Sequence, residues 1–261
     1  MRVFDFNSAI VCTPGKSVVN GLREDARAVP RYEIVLQQHR DYIAVLREFG
    51  LAVDVLPPLE AFPDSTFVED PALTFTEGAI LLRPGAKTRE AEREEMRTAL
   101  KRHFAKTLEL GEGNYVDGGD VLVTPKEIFI GLSARTTRKG AEALIGLLRE
   151  LGLNGRIGHT PADVLHFKTA SALLDEETIL ATKAMADSGV FVDYRVIVTP
   201  DGEDAAANAL RINDTVLIGA HYKRTIEMLS KANYRVRAVE MAEVAKLDAG
   251  LSCMSLRWFA P

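Results

Sequence analysis

Cysteine is nearly absent from this 261-residue chain: Cys12 and Cys253 are the only two. Two thiols cannot staple a scaffold of this length, so a disulfide framework is excluded and a reduced, cytoplasmic protein is expected. No apolar run approaches the roughly 18 residues that a membrane-spanning helix needs. The opening stretch MRVFDFNSAIVCTPGK has no basic start followed by a long apolar segment, so no secretory signal is expected. Positive charge is not in excess: 32 Lys and Arg stand against 37 Asp and Glu, a net of −5. That argues against nucleic-acid binding by bulk phosphate neutralisation. Linkers and low-complexity segments are also missing. With 47% hydrophobic residues there is ample material for a core, and disorder is not expected.

Two common site signatures fail as well. Gly15-Lys16-Ser17 resembles the end of a phosphate loop, but Ile10 stands where the first glycine of that motif belongs. No His, Cys and Asp spacing suggests a metal site, and none is expected.

What is present is alternation. Helical periodicity marks residues 31–49, 88–104, 136–151 and 222–232. Thr88 is the expected N-cap of the second, with Glu90 and Glu92 in its first turn. Gly50 and Gly152 stop the first and third. Short β-branched runs such as AIVC, ALTF, DVLV, EIFIG, TILAT and TVLIG lie between them, bounded by Gly, Pro, Asp or Asn.

The alternation is a repeat. FVEDPALTFTEGAILLRPG, from residue 67, aligns without a gap with YVDGGDVLVTPKEIFIGLS, 48 residues on. A further 51 residues reach HFKTASALLDEETILATKA, and another 37 reach EDAAANALRINDTVLIGAH. Each unit reads as strand, turn, strand, a helix or shorter connection, and strand. A fifth unit begins at GLSCMSLRW and runs out at the C-terminus, so the N-terminal AIVC segment is expected to supply its second strand. One such unit cannot bury its apolar faces, whereas five around an axis share a core and hide their edges.

In this alignment Asp117, His166 and Cys253 all fall near the start of a unit's first strand. Quasi-symmetry brings such positions together at the axis. A thiol, an imidazole and a carboxylate are the minimal set for covalent catalysis: nucleophile, proton carrier and orienting acid. A second cluster, Asp64, Glu69 and Asp70 with Phe67 among them, suits a planar cation, because paired carboxylates fix a guanidinium and an aromatic face adds to the grip. Cys12, in an apolar strand, reads as structural. His39 and His103 lie on helices and carry no assigned role, and nothing nearby supports one for His159 or His221. Residues 15–30 are polar and lack apolar periodicity, which fits either a surface loop or a lid over the pocket.

FVEDPALTF, YVDGGDVL with GLSARTT behind it, LHFKTASALL and DAGLSCMSL, in this order along essentially the whole chain, resemble the dimethylarginine dimethylaminohydrolase family of the guanidino-group-modifying superfamily. The resemblance implies an α/β fold, a five-bladed α/β-propeller of pseudo-symmetric ββαβ-type (pentein-like) modules, with residues 1–261 as a single catalytic domain. It implies Cys253 as nucleophile, His166 as general acid and base, and Asp117 as the carboxylate orienting it. It places Asp64, Glu69, Asp70 and Phe67 around a substrate guanidinium, and Arg89 and Arg135 on the amino-acid end. Leu22 falls in the lid, and Leu247 supplies a backbone carbonyl beside the nucleophile. No cofactor and no metal are implied. Arginine deiminases and amidinotransferases carry a His-x-Asp motif whose Asp grips the guanidinium, whereas here Lys168 stands two residues after His166. A cation there repels a second grip and points to the dimethylarginine branch.

The activity implied is hydrolysis of asymmetric dimethylarginine, or the monomethyl form, to citrulline and an amine through a covalent thiouronium on cysteine. The expected partner is a small-molecule substrate, with a homodimer left open and neither nucleic acid nor membrane expected. Two alternatives remain: an arginine deiminase-like, citrulline or other guanidino or ureido hydrolase of the same superfamily, and a propeller that binds a ligand without catalysis.

Overall fold

Short strands in this chain come in threes. The computed structural model describes residues 2–162 and 164–261. Among these, every named strand belongs to one of five three-stranded sheets. The second module holds β3 (Ala72–Phe75), β4 (Gly78–Leu81) and β5 (Thr107–Glu109), with α2 (Glu92–His103) before β5. The third holds β6 (Val121–Val123), β7 (Ile128–Gly131) and β8 (Gly155–Gly158), crossed by α3 (Arg138–Glu150). The fourth holds β9 (Ser171–Leu173), β10 (Thr178–Ala181) and β11 (Arg195–Val198), crossed by the five-residue α4 (Lys183–Asp187). The fifth holds β12 (Leu210–Ile212), β13 (Thr215–Gly219) and β14 (Arg235–Val239), crossed by α5 (Lys223–Lys231).

In each of these the first two strands pair antiparallel across a short turn, and the second and third pair parallel. Parallel neighbours cannot be joined by a turn and need a crossover, which is where the helices sit. The first module uses both ends of the chain. β15 (Leu256–Trp258) runs antiparallel to β1 (Ser8–Cys12), and β1 runs parallel to β2 (Ala52–Leu56) beyond α1 (Tyr32–Glu48). The expected completion of the fifth repeat by AIVC is therefore what is observed, with Ile10 opposite Leu256. Asn7 ties the ends further: its side chain donates to the Ala260 carbonyl at 2.7 Å and accepts from the Ala260 N–H at 2.7 Å.

Middle strands are covered on both faces and read as near-continuous apolar runs; β4, β7, β10 and β13 are buried throughout. The core is divided into five clusters, each spanning two neighbouring modules. Ile10 and Trp258 of the first meet Ala79 and Leu100 of the second, and Ile80 meets Val121 and Leu148 of the third. Phe129 meets Phe167 and Ile179, and Leu180 meets Val216 and Leu229. Leu217 and Met241 return to Val11 and Leu46 of the first module. The contacts thus run round in a cycle, and all five first strands line one cavity of about 120 Å³.

One helix boundary differs from expectation. Thr88 does not cap α2. It lies within the single 3-10 turn Lys87–Arg89, and α2 starts at Glu92 after Ala91, which supplies no side-chain cap. The cause is Arg89, whose guanidinium turns inward to meet Glu92 and Asp70 and holds the chain in a tight turn before the helix proper. Two short helices, α4 and α6 (Ala242–Ala245), lacked enough periodicity to be read from sequence.

Candidate active site

The chain bends sharply just before each first strand, and these bends meet on one side of the module cycle. Asp117 precedes the turn Gly118–Asp120, His166 precedes Phe167–Thr169, Asn208 follows Asp204–Ala207, and Cys253 lies within Ser252–Met254. All four side chains line one pocket of about 190 Å³, with Phe67 and Asp70 from the second module. Every module therefore contributes to it.

Glycine makes the closest approach feasible. A Cβ on Gly118 would sit 1.9 Å from the Glu69 carbonyl oxygen, so only glycine lets the Asp117 turn press against the acidic loop. The Gly118 N–H donates to the Asp70 carbonyl at 3.0 Å and fixes that contact.

The Cys253 side chain is partly exposed to the pocket. Burial, reinforced by the charges of Asp70 and Glu69, pushes its thiol up to about 11, against the weaker pull of Lys168. His166 is held by its own turn, where the Thr169 hydroxyl donates to the His166 carbonyl at 2.6 Å. Burial opposes charging the ring, but Asp120, with Asp70 and Asp117 behind it, outweighs burial and raises the imidazole to about 9. The carboxylate beside the ring is that of Asp120: its Oδ1 stands 3.3 Å from His166 Nδ1, although off the hydrogen-bonding direction. Asp120 is fully buried and accepts from the Ser133 and Thr136 hydroxyls, both at 2.6 Å, and from the Phe167 N–H at 3.0 Å.

Asp117, the residue expected to orient the imidazole, is buried nearby, its Oδ1 unpartnered among the described residues. Burial, then the charge of Asp70, raises its carboxyl to about 7. Two carboxylates therefore flank His166, and Asp120 was missed in the sequence because Gly-Gly-Asp reads as a turn.

The acidic cluster divides. Asp70 faces the pocket and pairs with Arg89. Asp64 also faces it, accepts from the Leu22 N–H at 2.9 Å, and is raised by burial. Glu69 does not line this pocket. It is ion-paired to Lys168, which lines the pocket, at 2.6 Å and to Arg257, which does not, at 2.8 Å. The expectation that Glu69 holds a substrate guanidinium is thus not matched by its placement: two internal cations already occupy it. Lys168 is no free surface lysine, and its ammonium serves as that counterion.

Arg89 and Arg135 both reach the pocket, in different states. Arg89 is buried, bonded to Glu92, Asp70 and the carbonyls of Asp64 and Phe67; Asp70 and Glu92 outweigh burial and keep it charged. Arg135 has no ion pair among the described residues. Leu22, more than a third exposed, stands at the mouth with Arg23 and Glu24. The segment carrying them is tied down by Glu60, which accepts from the Lys16 and Ser17 N–H groups, and by Asp248, which accepts from the Glu24 N–H at 2.6 Å. Leu247 is buried against the same wall. Among the described residues no group of three His, Cys, Asp or Glu is poised to hold a metal ion, and no helix is long and apolar enough to cross a membrane.

A pocket that sets a thiol and an imidazole among carboxylates, on five ββαβ modules, suits hydrolysis of a guanidino group, and the similarity to known proteins identifies that class. A family model described as N,N dimethylarginine dimethylhydrolase, eukaryotic, matches residues 20–153. The N(G),N(G)-dimethylarginine dimethylaminohydrolase of Pseudomonas aeruginosa is 38% identical over 254 residues, covering 97% of this chain and all of that one. The enzyme of the same name from Streptomyces coelicolor is 29% identical, over 95% and 96% of the two chains. In three dimensions the chain matches the Pseudomonas enzyme, solved as a cysteine-to-serine mutant with citrulline, at a TM-score of 0.94 and 37% identity, over 97% and 100% of the chains. A cyanobacterial arginine dihydrolase domain, 18% identical, shares the fold at a TM-score of 0.85. The chain belongs to the dimethylarginine dimethylaminohydrolase family.

Proposed function

We propose that this enzyme hydrolyses asymmetric dimethylarginine and monomethylarginine to citrulline and dimethylamine or methylamine, through a thiouronium on Cys253. The observation that carries the reading is the convergence of Cys253, His166, Asp70 and Arg135 on one pocket. The P. aeruginosa relative, solved with citrulline, supports it. The whole chain, 1–261, acts as one catalytic domain.

Arg135 holds the substrate carboxylate, aided by the charge of Arg89 behind it. Asp70 accepts from the guanidinium nitrogens, with Asp64 and Phe67 beside it. Glu69, neutralised by Lys168 and Arg257, adds no further grip, in keeping with a guanidinium whose one nitrogen carries methyls and offers fewer donors. Leu22 covers the entrance.

A guanidinium is a poor electrophile, so the attacking group must be intrinsically strong, and sulfur is. The raised thiol is protonated in the free enzyme at neutral pH. The bound cation offsets the charge of Asp70, the largest electrostatic cause of that rise, and favours the thiolate, the thiol proton passing to solvent. Cys253 Sγ adds to the central guanidinium carbon. His166, an imidazolium at neutral pH, protonates the departing amine. The S–C bond remains as a thiouronium. His166, now neutral, takes a proton from water, which adds to the same carbon and expels the sulfur, leaving citrulline.

The test is amine and citrulline release from dimethylarginine, with monomethylarginine, arginine and citrulline in parallel. Turnover of the methylated substrates, absent in Cys253→Ser, is expected. Turnover of arginine alone assigns the deiminase reaction instead. A folded Cys253→Ser that still forms citrulline removes Cys253 as nucleophile.

A further inference from the structure

Asn208, from the turn before β12, lines the pocket, and no role has been given to it. Its amide is held on three sides. The Ser252 hydroxyl donates to its Oδ1 at 3.0 Å. Its plane lies flat on Gly250, where an added Cβ would come within 2.1 Å of the amide carbon and 2.3 Å of Nδ2. Its Nδ2 lies 3.8 Å from Cys253 Sγ, within reach of an N–H···S hydrogen bond. Ser252 and Gly250 belong to the same tight turn as Cys253, and the Cys253 N–H donates to the Gly250 carbonyl at 3.3 Å. The turn that carries the sulfur therefore also clamps the amide that faces it.

We propose that Asn208 is a positioning residue for the reacting sulfur, its amide N–H fixing Cys253 Sγ toward the pocket and stabilising the thiolate as it forms. This deepens the reading of Cys253 as nucleophile and rests on it.

The physical need is plain. The charged groups around the sulfur are Asp70, Glu69 and Lys168, with His166 and Asp117 from their own turns, and the two nearest acids oppose a thiolate. A neutral donor beside the sulfur stabilises the anion without adding a charge that would repel a cationic substrate. Hydrogen bonds to ionised groups are the strong ones, and preorganised donors cost no rearrangement when charge develops. Asn208 lines both the active-site pocket and an adjoining cavity of about 230 Å³.

The experiment is the pH dependence of Cys253 carbamidomethylation by iodoacetamide, read by mass on the Cys253 peptide so that buried Cys12 does not contribute, with kcat and KM on dimethylarginine beside it. Asn208→Leu keeps the size and removes the donor. Its alkylation midpoint is expected to move up by about one pH unit, and kcat to fall about 10-fold or more with little change in KM. Gly250→Ala keeps the amide but displaces it, and is expected to shift the midpoint the same way. A purely structural Asn208 would lower folded yield and leave the midpoint in place. An unmoved midpoint in whichever variant folds overturns the proposal. So does a downward shift, which would mean the carbonyl faces the thiol. Should the unaltered protein fail to turn over methylarginines, the activity reading falls while the alkylation profile still decides the role of the amide.

Discussion

Asp120 is the residue on which the imidazole's charge depends most directly. Its Oδ2 is occupied by two hydroxyls, and its Oδ1 faces both the Phe167 N–H and the His166 ring. Raising the ring to about 9 keeps it protonated at neutral pH, the state that can deliver a proton to the leaving amine. Activity is therefore expected to decline as pH rises past about 9, where that proton is lost. Asp120→Asn should draw this alkaline limb toward neutrality and lower kcat about 10- to 100-fold, within the usual worth of acid–base help. A pH–rate profile unchanged in Asp120→Asn would return the role to Asp117. A second histidine tests burial without catalysis. His39 on α1 is buried, its Nε2 has no partner among the described residues, and burial drops it to about 4. The fold holds it neutral, so unfolded chain binds more protons between about 6.5 and 4, and stability falls as pH drops through that window. The loss below it is about 3 kcal/mol. Urea unfolding at pH 7 and pH 4 should show His39→Leu losing about that much less than the unaltered protein.

At the scale of elements, the turns ahead of the first strands matter more than the strands. Gly118 and the buried Glu69 hold two of these turns together, one through a backbone approach and one through charge. Gly118→Ala forces a methyl into the Glu69 carbonyl and should cost about 1–3 kcal/mol, with the Asp117 turn pushed off the acidic loop. Glu69→Ala strands two mostly enclosed cations, Lys168 and Arg257, and should cost about 2–4 kcal/mol, measured by thermal or urea unfolding. A Glu69→Ala protein of unchanged stability would show that water solvates those cations and that the ion pair is not structural. These turns were only partly legible in sequence. YVDGGD and LHFKTAS announced their positions by aligning in the repeat, and the pocket does hold Asp117 and His166. Glu69 and Asp70 are adjacent in sequence and chemically alike, and nothing in the string distinguishes the one that faces the pocket from the one that does not. The reason is the second partner: Arg257 lies 188 residues away, and only packing brings it there. Asn208 carried no signal beyond its place in the fourth aligned unit.

For the whole molecule the decisive feature is that neither end of the chain completes a module alone. β15 supplies buried Leu256 and Trp258 to the sheet begun by β1, and it follows Cys253 directly. Deleting residues 255–261 removes about 3–6 kcal/mol from those two side chains alone, a large part of the 5–15 kcal/mol typical of a folded protein. Cooperative unfolding is expected to be lost across all five modules, because each core cluster is shared by two of them. Urea melts followed by far-UV circular dichroism would read this; a truncated chain with four modules still melting cooperatively would show that they are independent units.

Taken alone, the amino-acid sequence determined the repeat, the alternation of strand and helix, the completion of the last module by the first strand, and the three reactive residues at equivalent positions. These follow from local periodicity and from spacing, which a linear chain records. Tertiary structure alone decided which carboxylate stands beside His166, which of two adjacent acids is consumed by internal cations, why Arg89 delays the start of α2, and that an asparagine faces the sulfur. Each of those rests on contacts between residues remote in sequence, where burial and charge choose among chemically equivalent groups.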